Sequence, residues 1–227
     1  GSTLVESILV SHSKVSDGGE INLMQAALIP TIDYSYQGAL RYQTNFDGND
    51  PWDAIAADYH KMISERFPEG HLIVDKTLNQ SMLMGLILHC LPDARVIWMR
   101  RNAADNALSA YTAYFTSAIP WSWCLKDMAS HFKLEDRLFS HWKSLYPDRI
   151  MELRYEDLVT EPSTWVSNLL NHVGLPHEHQ VYDFHKTKRA VLTASVQQVR
   201  SKISNSSIGK SQRFLDQLSP FLSNYYK

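Results

Sequence analysis

The sequence predicts an α/β fold in which helices surround a parallel β-sheet. Apolar, β-favouring runs at residues 71–75, 94–101 and 149–155 indicate strands. The segments between them have helical periodicity, and strands that alternate with helices are joined by crossovers that make them parallel. The chain has 227 residues, of which 44% are hydrophobic and 11% aromatic. This is enough apolar material for one domain that spans residues 1–227.

Three helices are expected before the first predicted strand. Residues 3–10 and 21–28 have apolar residues at helical spacing and are the first two. Asp50-Pro51 begins the third, because proline is favoured at the first helical position. Pro68-Glu69-Gly70 ends that helix, and the strand at residues 71–75 follows it.

Helices and strands alternate more regularly in the second half. A helix over residues 81–91 leads to the second strand, and Asn102 is expected to cap the helix after it. A long amphipathic helix is predicted over residues 125–145, and Gly174 ends the helix that follows the third strand. Residues 190–210 are rich in Ser, Gln and Lys and have little apolar periodicity. We interpret them as a functional loop that covers a site.

Composition excludes several functional classes. The net charge of −2 and the lack of a long basic run argue against a dedicated nucleic-acid binder. Cys90 and Cys124 form no CxxC pair and the ten histidines no HExxH motif, so no metal site or disulfide framework is predicted. Cys90 is expected to be a buried thiol, and a reducing compartment fits this cysteine usage. No segment approaches the roughly 20 apolar residues of a membrane span.

The most informative segment joins the second strand to its helix. Arg101 follows the strand, and Ser109 comes eight residues later on the helix. Because open α/β sheets bind ligands at the carboxyl ends of their strands, this guanidinium and hydroxyl can together hold a phosphate. The alternative for Arg101 is a surface salt bridge. Strand alternation points Arg100 the opposite way.

Three further features could serve a phosphate site. Gly1-Ser2-Thr3-Leu4 is typical of the end of a glycine-rich phosphate loop that enters a helix, although Gly1-Ser2 could be a cloning remnant and Ser-Thr a plain cap. Lys76 ends a strand and can neutralise charge on a leaving phosphate, or it is a solvated lysine. Tyr155 could stack on a nucleotide or belong to the core.

Two residues are candidate general bases. Glu20 follows Asp17-Gly18-Gly19, which we interpret as a turn, and precedes a helix. It is either a base or a first-turn carboxylate that favours the helix dipole. His12 is another possible base, although a lone histidine is more often structural.

Taken in order, these residues resemble the sulfotransferase superfamily that uses 3′-phosphoadenosine-5′-phosphosulfate (PAPS). The likeness is greatest to bacterial sulfotransferases fused to tetratricopeptide repeats and to tyrosylprotein sulfotransferases, and it spans nearly all of the chain. The matching segments, in chain order, are Gly1-Ser2-Thr3-Leu4, Asp17-Gly18-Gly19-Glu20, Val74-Asp75-Lys76, Arg101 with Ser109, Arg154-Tyr155-Glu156-Asp157-Leu158, and Thr193-Ala194-Ser195 with Gln198-Val199-Arg200.

The resemblance implies a P-loop NTPase-like three-layer fold with a central parallel sheet. The family's first strand and the Pro-Arg-Ser before its glycine do not precede Gly1, so we expect the first strand to be missing and PAPS binding by this chain to be weak. The resemblance also implies a bacterial cytoplasmic protein with a tetratricopeptide-repeat region upstream.

The implied reaction transfers a sulfuryl group from PAPS to an acceptor hydroxyl or amine without a metal. Glu20 would be the general base, Lys76 would stabilise charge on the departing phosphate, and Ser195 would help to hold the 5′ side. The implied nucleotide-binding residues are Gly1, Ser2, Thr3, Leu4, Arg101, Ser109, Tyr155 and Lys210.

The acceptor and two other functions stay open at this point. Five aromatic residues could line an acceptor cleft or pack in the core: Tyr34, Tyr36, Tyr42, Phe46 and Trp52. A P-loop nucleotide kinase is the first alternative, but its loop requires Gly-Lys-(Ser/Thr), and Ser2 follows Gly1 here. A non-catalytic interaction domain of the same fold is the second.

Overall fold

The structure is a computed structural model that describes residues 1–113, 115, 119–186 and 201–227. The chain divides into two units, residues 13–94 and residues 1–12 with 95–227. Its strands are β1 (Val15–Gly19), β2 (Leu72–Asp75), β3 (Val96–Arg100) and β4 (Ile150–Arg154). Its α-helices are α1 (Ser2–Val10), α2 (Leu23–Ala27), α3 (Tyr36–Asn45), α4 (Pro51–Ser64), α5 (Met84–Cys90), α6 (Ala103–Thr112), α7 (Leu125–Leu145), α8 (Tyr155–Thr160), α9 (Pro162–His172) and α10 (Ser219–Tyr225). Short 3₁₀ helices lie at Ile29–Thr31, Gln80–Leu83, Pro120–Trp123, His179–Lys186 and Lys210–Phe214.

The predicted α/β class with parallel strands is confirmed. In the described residues, β1 pairs with β2 within the unit of residues 13–94, and β3 pairs with β4 within the other unit. Both pairs are parallel. Helices α2, α3 and α4 connect β1 to β2, and α6 and α7 connect β3 to β4, so each parallel pair has the long crossover that it requires.

Strand β1 corrects the interpretation of Asp17-Gly18-Gly19 as a turn. These residues form the second half of the strand, with a register shift between Asp17 and Gly19. A Cβ added to Gly18 would lie 2.6 Å from the carbonyl oxygen of Val74 and 3.0 Å from Cγ2 of Ile73. Glycine is therefore required here because the neighbouring strand backbone approaches closely, and glycine inside a strand often marks such an approach.

Helices α3 and α4 show how local capping sets the start of a helix. Asp50 accepts a hydrogen bond from the backbone amide of Trp52 at 2.8 Å, and Pro51 occupies the first turn, as predicted. The sequence analysis missed α3, whose cap is the Ser35 hydroxyl accepting from the amide of Gly38 at 3.0 Å. Both starts follow the rule that a side-chain oxygen satisfies an otherwise unpaired helix amide.

The core of residues 13–94 lies between α2, α4 and α5. Its buried residues are Met24, Ala27, Leu28, Ile55, Leu83, Ile87, Cys90 and Leu91. Tyr42 and Trp52 pack against this core with ring centroids 5.7 Å apart, and Phe46 contacts Tyr42 edge-on. Tyr34 and Tyr36 are exposed. Of the five aromatic residues considered for an acceptor cleft, two are therefore core-packing residues.

The second unit has its core where α6, α7 and α10 meet. The cluster contains Ala104, Ala107, Met128, Ala129, Phe132, Leu218 and Phe221. Helix α7 has the predicted bounds, whereas the helix expected after β4 is divided into α8 and α9. Pro162 begins α9 because proline lacks the amide that would continue α8. Gly174 follows α9 with φ +71°, as its predicted role as a helix end requires.

None of the helices in the described ranges is long and apolar enough to cross a bilayer.

Candidate functional site

Two predicted catalytic residues meet at the strand ends of residues 13–94. Glu20 directly follows β1 and Lys76 directly follows β2, and the carboxyl ends of paired parallel strands lie side by side. The Lys76 ammonium donates to Oε1 of Glu20 at 2.9 Å. The exposed fraction of the side chain is 43% for Glu20 and 13% for Lys76. The carboxylate is therefore accessible, while the lysine side chain is largely covered.

The backbone around this ion pair is also tied together. The Lys76 amide donates to the carbonyl of Gly19 at 2.7 Å, and the amide of Asn22 donates to the Thr77 hydroxyl at 3.0 Å. Asn22 caps α2 in the left-handed region, and the first turn of α2 contains no acidic residue. Glu20 therefore lies outside the helix, and the alternative of a first-turn carboxylate is wrong.

Arg100 and Arg101 contact different parts of the second unit. Nη1 of Arg100 lies 2.8 Å from a carboxylate oxygen of Asp136 on α7. The Arg101 guanidinium lies over the Tyr155 ring, 4.9 Å from its centroid, and its Nη2 donates to the carbonyl of Ser207 at 2.7 Å. Arg100 thus forms a structural ion pair with Asp136. Arg101 directly follows β3 and contacts Tyr155 and Ser207.

The amino end of α1 lies next to Tyr155. A Cβ added to Gly1 would be 2.7 Å from Cε of Met99 and 3.1 Å from Cδ2 of Tyr155. Tyr155 is only 7% exposed, so its ring forms a packing surface for Gly1 and for the Arg101 guanidinium. The structure therefore brings a predicted phosphate-loop residue and a predicted phosphate-binding arginine onto one buried tyrosine.

The remaining predicted nucleotide-binding residues differ in exposure. Ser2, Ser109 and Lys210 are exposed, Leu4 is half-buried and Thr3 is buried. Ser109 lies on α6, which begins directly after Arg101, and Lys210 begins a 3₁₀ helix. The exposed side chains have the access that contact with a ligand needs.

Part of the predicted covering loop lies outside the described residues. Ser195, with Thr193-Ala194 and Gln198-Val199-Arg200, falls within residues 187–200. In the described end of this segment, the carbonyl of Ser207 accepts the hydrogen bond from Arg101, and Ser207 is only 8% exposed.

His12 does not have the accessibility of a general base. It is 2% exposed, and its Nε2 lies 3.0 Å from the carbonyl oxygen of Pro176 and 3.6 Å from Oε1 of Glu178. The structural alternative for this histidine therefore fits the geometry better than catalysis.

Asp105 is a site residue that the sequence analysis missed. It lies in the first turn of α6 and is 2% exposed. Its carboxylate accepts hydrogen bonds from the amide of Gly209 at 2.7 Å and the amide of Ser211 at 2.8 Å. An acidic residue three positions after the helix cap Asn102 looks like ordinary capping chemistry, so local sequence did not reveal this long-range role.

The Glu20–Lys76 pair and the residues around Arg101 are suited to different chemical tasks. An exposed carboxylate paired with an ammonium can accept a proton and neutralise developing negative charge. An arginine beside a helix amino terminus, with a hydroxyl on the following helix, is a set of donors suited to phosphate.

Comparisons with known proteins identify the family of the chain. An uncharacterized protein of Aquifex aeolicus (strain VF5) is 32% identical over 239 residues, which cover 98% of this chain and 30% of that protein. The chain thus spans less than a third of the length of the curated relative it matches. The solved sulfotransferase domain from the curacin biosynthetic pathway has the same fold, with a TM-score of 0.60 and 19% identity over 96% of this chain and 93% of that one. The model of the sulfotransferase family matches residues 1–179, which include Glu20, Lys76, Arg101 and Ser109. The chain therefore belongs to the sulfotransferase family.

Proposed function

We propose that the chain transfers a sulfuryl group from PAPS to an acceptor hydroxyl or amine, with Glu20 as the general base. Membership of the sulfotransferase family supports sulfuryl transfer in general. The observation that carries the finer assignment is the contact of Glu20 with Lys76, two residues 56 positions apart that meet at 2.9 Å beyond adjacent parallel strands. We also propose that residues 1–227 act together as one sulfotransferase domain.

The proposed transfer is an in-line displacement. The acceptor oxygen or nitrogen forms a bond to sulfur as the bond from sulfur to the 5′-phosphate oxygen breaks. Glu20 takes the acceptor proton, and the leaving group departs as 3′,5′-adenosine bisphosphate. Lys76 stabilises the charge that develops on that phosphate oxygen, and Ser195 helps to hold the 5′ side.

Arg101 is the proposed anchor for the 3′-phosphate, together with Ser109. The Nε atom of Arg101 is buried and has no hydrogen-bond partner among the described residues. A buried donor without an acceptor is costly, and a phosphate oxygen would satisfy it. The amino-terminal residues of α1, Gly1 to Leu4, bind the 5′ side in this proposal, while Tyr155 supports the nucleotide and Lys210 contacts its far end. The donor set thus fits a nucleotide that carries two phosphate groups.

The decisive test replaces the base without changing its shape. In Glu20→Gln, we expect the turnover number to fall by about 10²-fold or more, because the amide cannot accept the acceptor proton. The affinity for 3′,5′-adenosine bisphosphate should stay near the wild-type value. The turnover number is measured by the transfer of label from PAPS to phenol, saccharide and amine acceptors. The affinity for the bisphosphate is measured by calorimetric titration.

Glu69→Gln is the matched control, because Glu69 is an exposed carboxylate ahead of β2. This variant should transfer at the wild-type rate. Unchanged turnover in Glu20→Gln would eliminate Glu20 as the base. A wild-type chain that binds the bisphosphate but transfers to no acceptor would support the alternative of a non-catalytic nucleotide-binding domain.

A further inference from the structure

The Asp105 carboxylate ties helix α6 to a segment more than a hundred residues away in the chain. It accepts from the backbone amides of Gly209 and Ser211, at sequence separations of 104 and 106 residues. The Ser211 hydroxyl is a further hydrogen-bond donor to it. Gly209 has φ +75°, a left-handed conformation that glycine adopts readily, and this turn directs both amides toward one carboxylate.

A second carboxylate leaves Asp105 available for this contact. The Asn102 side chain accepts from the Asp105 amide at 3.1 Å, which is one half of a capping box. In the other half, the third-position carboxylate would accept from the amide of the cap residue. Here that amide donates to Oε1 of Glu156 at 2.8 Å. Asp105 is therefore not needed for capping and binds the distant segment instead.

The charge of Asp105 suits this role. Burial raises its pKa, but hydrogen bonds from Ser211 and Gly209 and the nearby charge of Arg101 outweigh burial, so its pKa lies below the usual aspartate value. The ionised carboxylate is the form that accepts hydrogen bonds without offering a donor. Hydrogen bonds to a charged acceptor are also stronger than neutral ones.

The segment that Asp105 holds is the one that contacts Arg101. Ser207 supplies the carbonyl that accepts from Arg101 at 2.7 Å, and Lys210 lies between the two amides bound by Asp105. Ser207 and Ser211 are buried, at 8% and 1% exposed. Fixing the backbone on both sides of Lys210 therefore fixes where its exposed side chain can reach.

We propose that Asp105 is a positioning residue that holds residues 207–211 against α6 and so sets Lys210 and the Ser207 carbonyl relative to Arg101. This inference rests on the proposed function, because the site it shapes is the proposed 3′-phosphate end of the donor site. Asp105 acts through this segment and does not itself touch the substrate. Its loss should weaken donor binding and leave the transfer step unchanged.

The test uses Asp105→Asn, which keeps the size of the side chain but removes its charge and places an amide donor opposite backbone donors. We expect the dissociation constant for 3′,5′-adenosine bisphosphate and the KM for PAPS to rise about tenfold. The turnover number at saturating PAPS should stay at the wild-type value. Trypsin should also cut faster after the exposed Lys202 and Lys210, because the segment is no longer held.

Two further variants complete the test. Asp127→Asn is the matched control, since Asp127 is an exposed aspartate in the first turn of α7. It should behave as wild type. Ser211→Ala removes the hydrogen bond that the Ser211 hydroxyl donates to Asp105. It should also raise the bisphosphate dissociation constant, by a smaller factor than Asp105→Asn. This variant keeps the test available if Asp105→Asn fails to fold.

The outcomes separate this proposal from the proposed function. Unchanged bisphosphate affinity in both Asp105→Asn and Ser211→Ala would overturn the positioning role while the donor assignment stands. A fall in turnover without a change in KM would also overturn it. A wild-type chain that binds neither the bisphosphate nor PAPS would reject the donor assignment itself.

Discussion

Carboxylates at helix and strand ends have different roles in this chain although their sequence contexts look alike. Glu20 pairs with Lys76 at the end of a parallel strand pair. Asp105 holds a distant segment, and Glu156 accepts from the cap of α6. Each could be interpreted locally as a helix-terminus charge. Their partners, which are far away in sequence, decide what they do.

The two cysteines give a prediction at the residue scale. Cys90 is buried, and burial together with Asp50 and Asp53 raises its pKa to about 11. Cys124 is exposed. Since the thiolate is the reactive form, a thiol reagent at pH 8 should label Cys124 quickly and Cys90 only after unfolding. Mass spectrometry of peptides labelled before and after denaturation checks this, and rapid native labelling of Cys90 would contradict it.

At the scale of elements, most of the helices and three of the four described strands follow local sequence rules, and strand β1 does not. Helices α4 and α6 start at the residues that capping predicts, because a cap depends on neighbours within three positions. Strand β1 follows no such rule. Its glycine is explained by the carbonyl of Val74 on β2, and a strand acquires its partner only on folding.

Substitution at Gly18 tests this account of β1. We expect Gly18→Ala to lower the free energy of unfolding by about 1–3 kcal/mol, because its Cβ would lie 2.6 Å from a backbone oxygen that cannot move alone. Urea denaturation followed by circular dichroism measures the loss.

Gly174 provides the comparison, since it has φ +71° and no atom within 4 Å of an added Cβ. Gly174→Ala should cost about 1 kcal/mol through its backbone conformation, and Gly174→Asn less, because asparagine tolerates the left-handed region. At position 18, by contrast, Gly18→Asn should be no more stable than Gly18→Ala. Equal tolerance of alanine at both positions would reject close approach as the reason for Gly18.

At the scale of the whole molecule, two half-buried histidines, His131 and His172, are expected to make the stability of the fold depend on pH. His131 stacks on Trp121, with ring centroids 4.1 Å apart. The ring of His172 lies 3.1 Å from the carbonyl oxygen of Val96 on β3. Burial lowers the pKa of both histidines below the usual histidine value, and the charges of Arg95 and Lys143 also lower that of His172. Both histidines are therefore neutral in the folded protein near pH 7.

These shifts predict how stability depends on pH. When the pH falls below about 6.5, the unfolded chain takes up protons at His131 and His172 before the folded chain does. The free energy of unfolding should therefore decrease between pH 7.5 and pH 5.5. Urea denaturation across this range measures the slope. The double variant His131→Gln, His172→Gln should have a shallower slope, and an unchanged slope would contradict the assignment.

The sequence by itself determined the α/β class, most of the helices and three of the described strands, and it named the candidate site residues. These depend on periodicity, on caps and on residues at strand ends, all of which are local signals. The resemblance to the sulfotransferases implied that Glu20, Lys76, Arg101 and Ser109 serve the same reaction. Helix α3 and strand β1 were missed because an exposed helix and a glycine-containing strand lack a clear apolar pattern.

Only the tertiary structure decided which of these residues act on one another. The Glu20–Lys76 contact joins positions 56 residues apart, and the Asp105 contacts join positions 104 and 106 residues apart. Strand pairing and loop packing create such contacts, and a local sequence pattern contains no information about them. The physical reason is that a charged group takes its function from its nearest partners, and in this chain the decisive partners are brought together by folding.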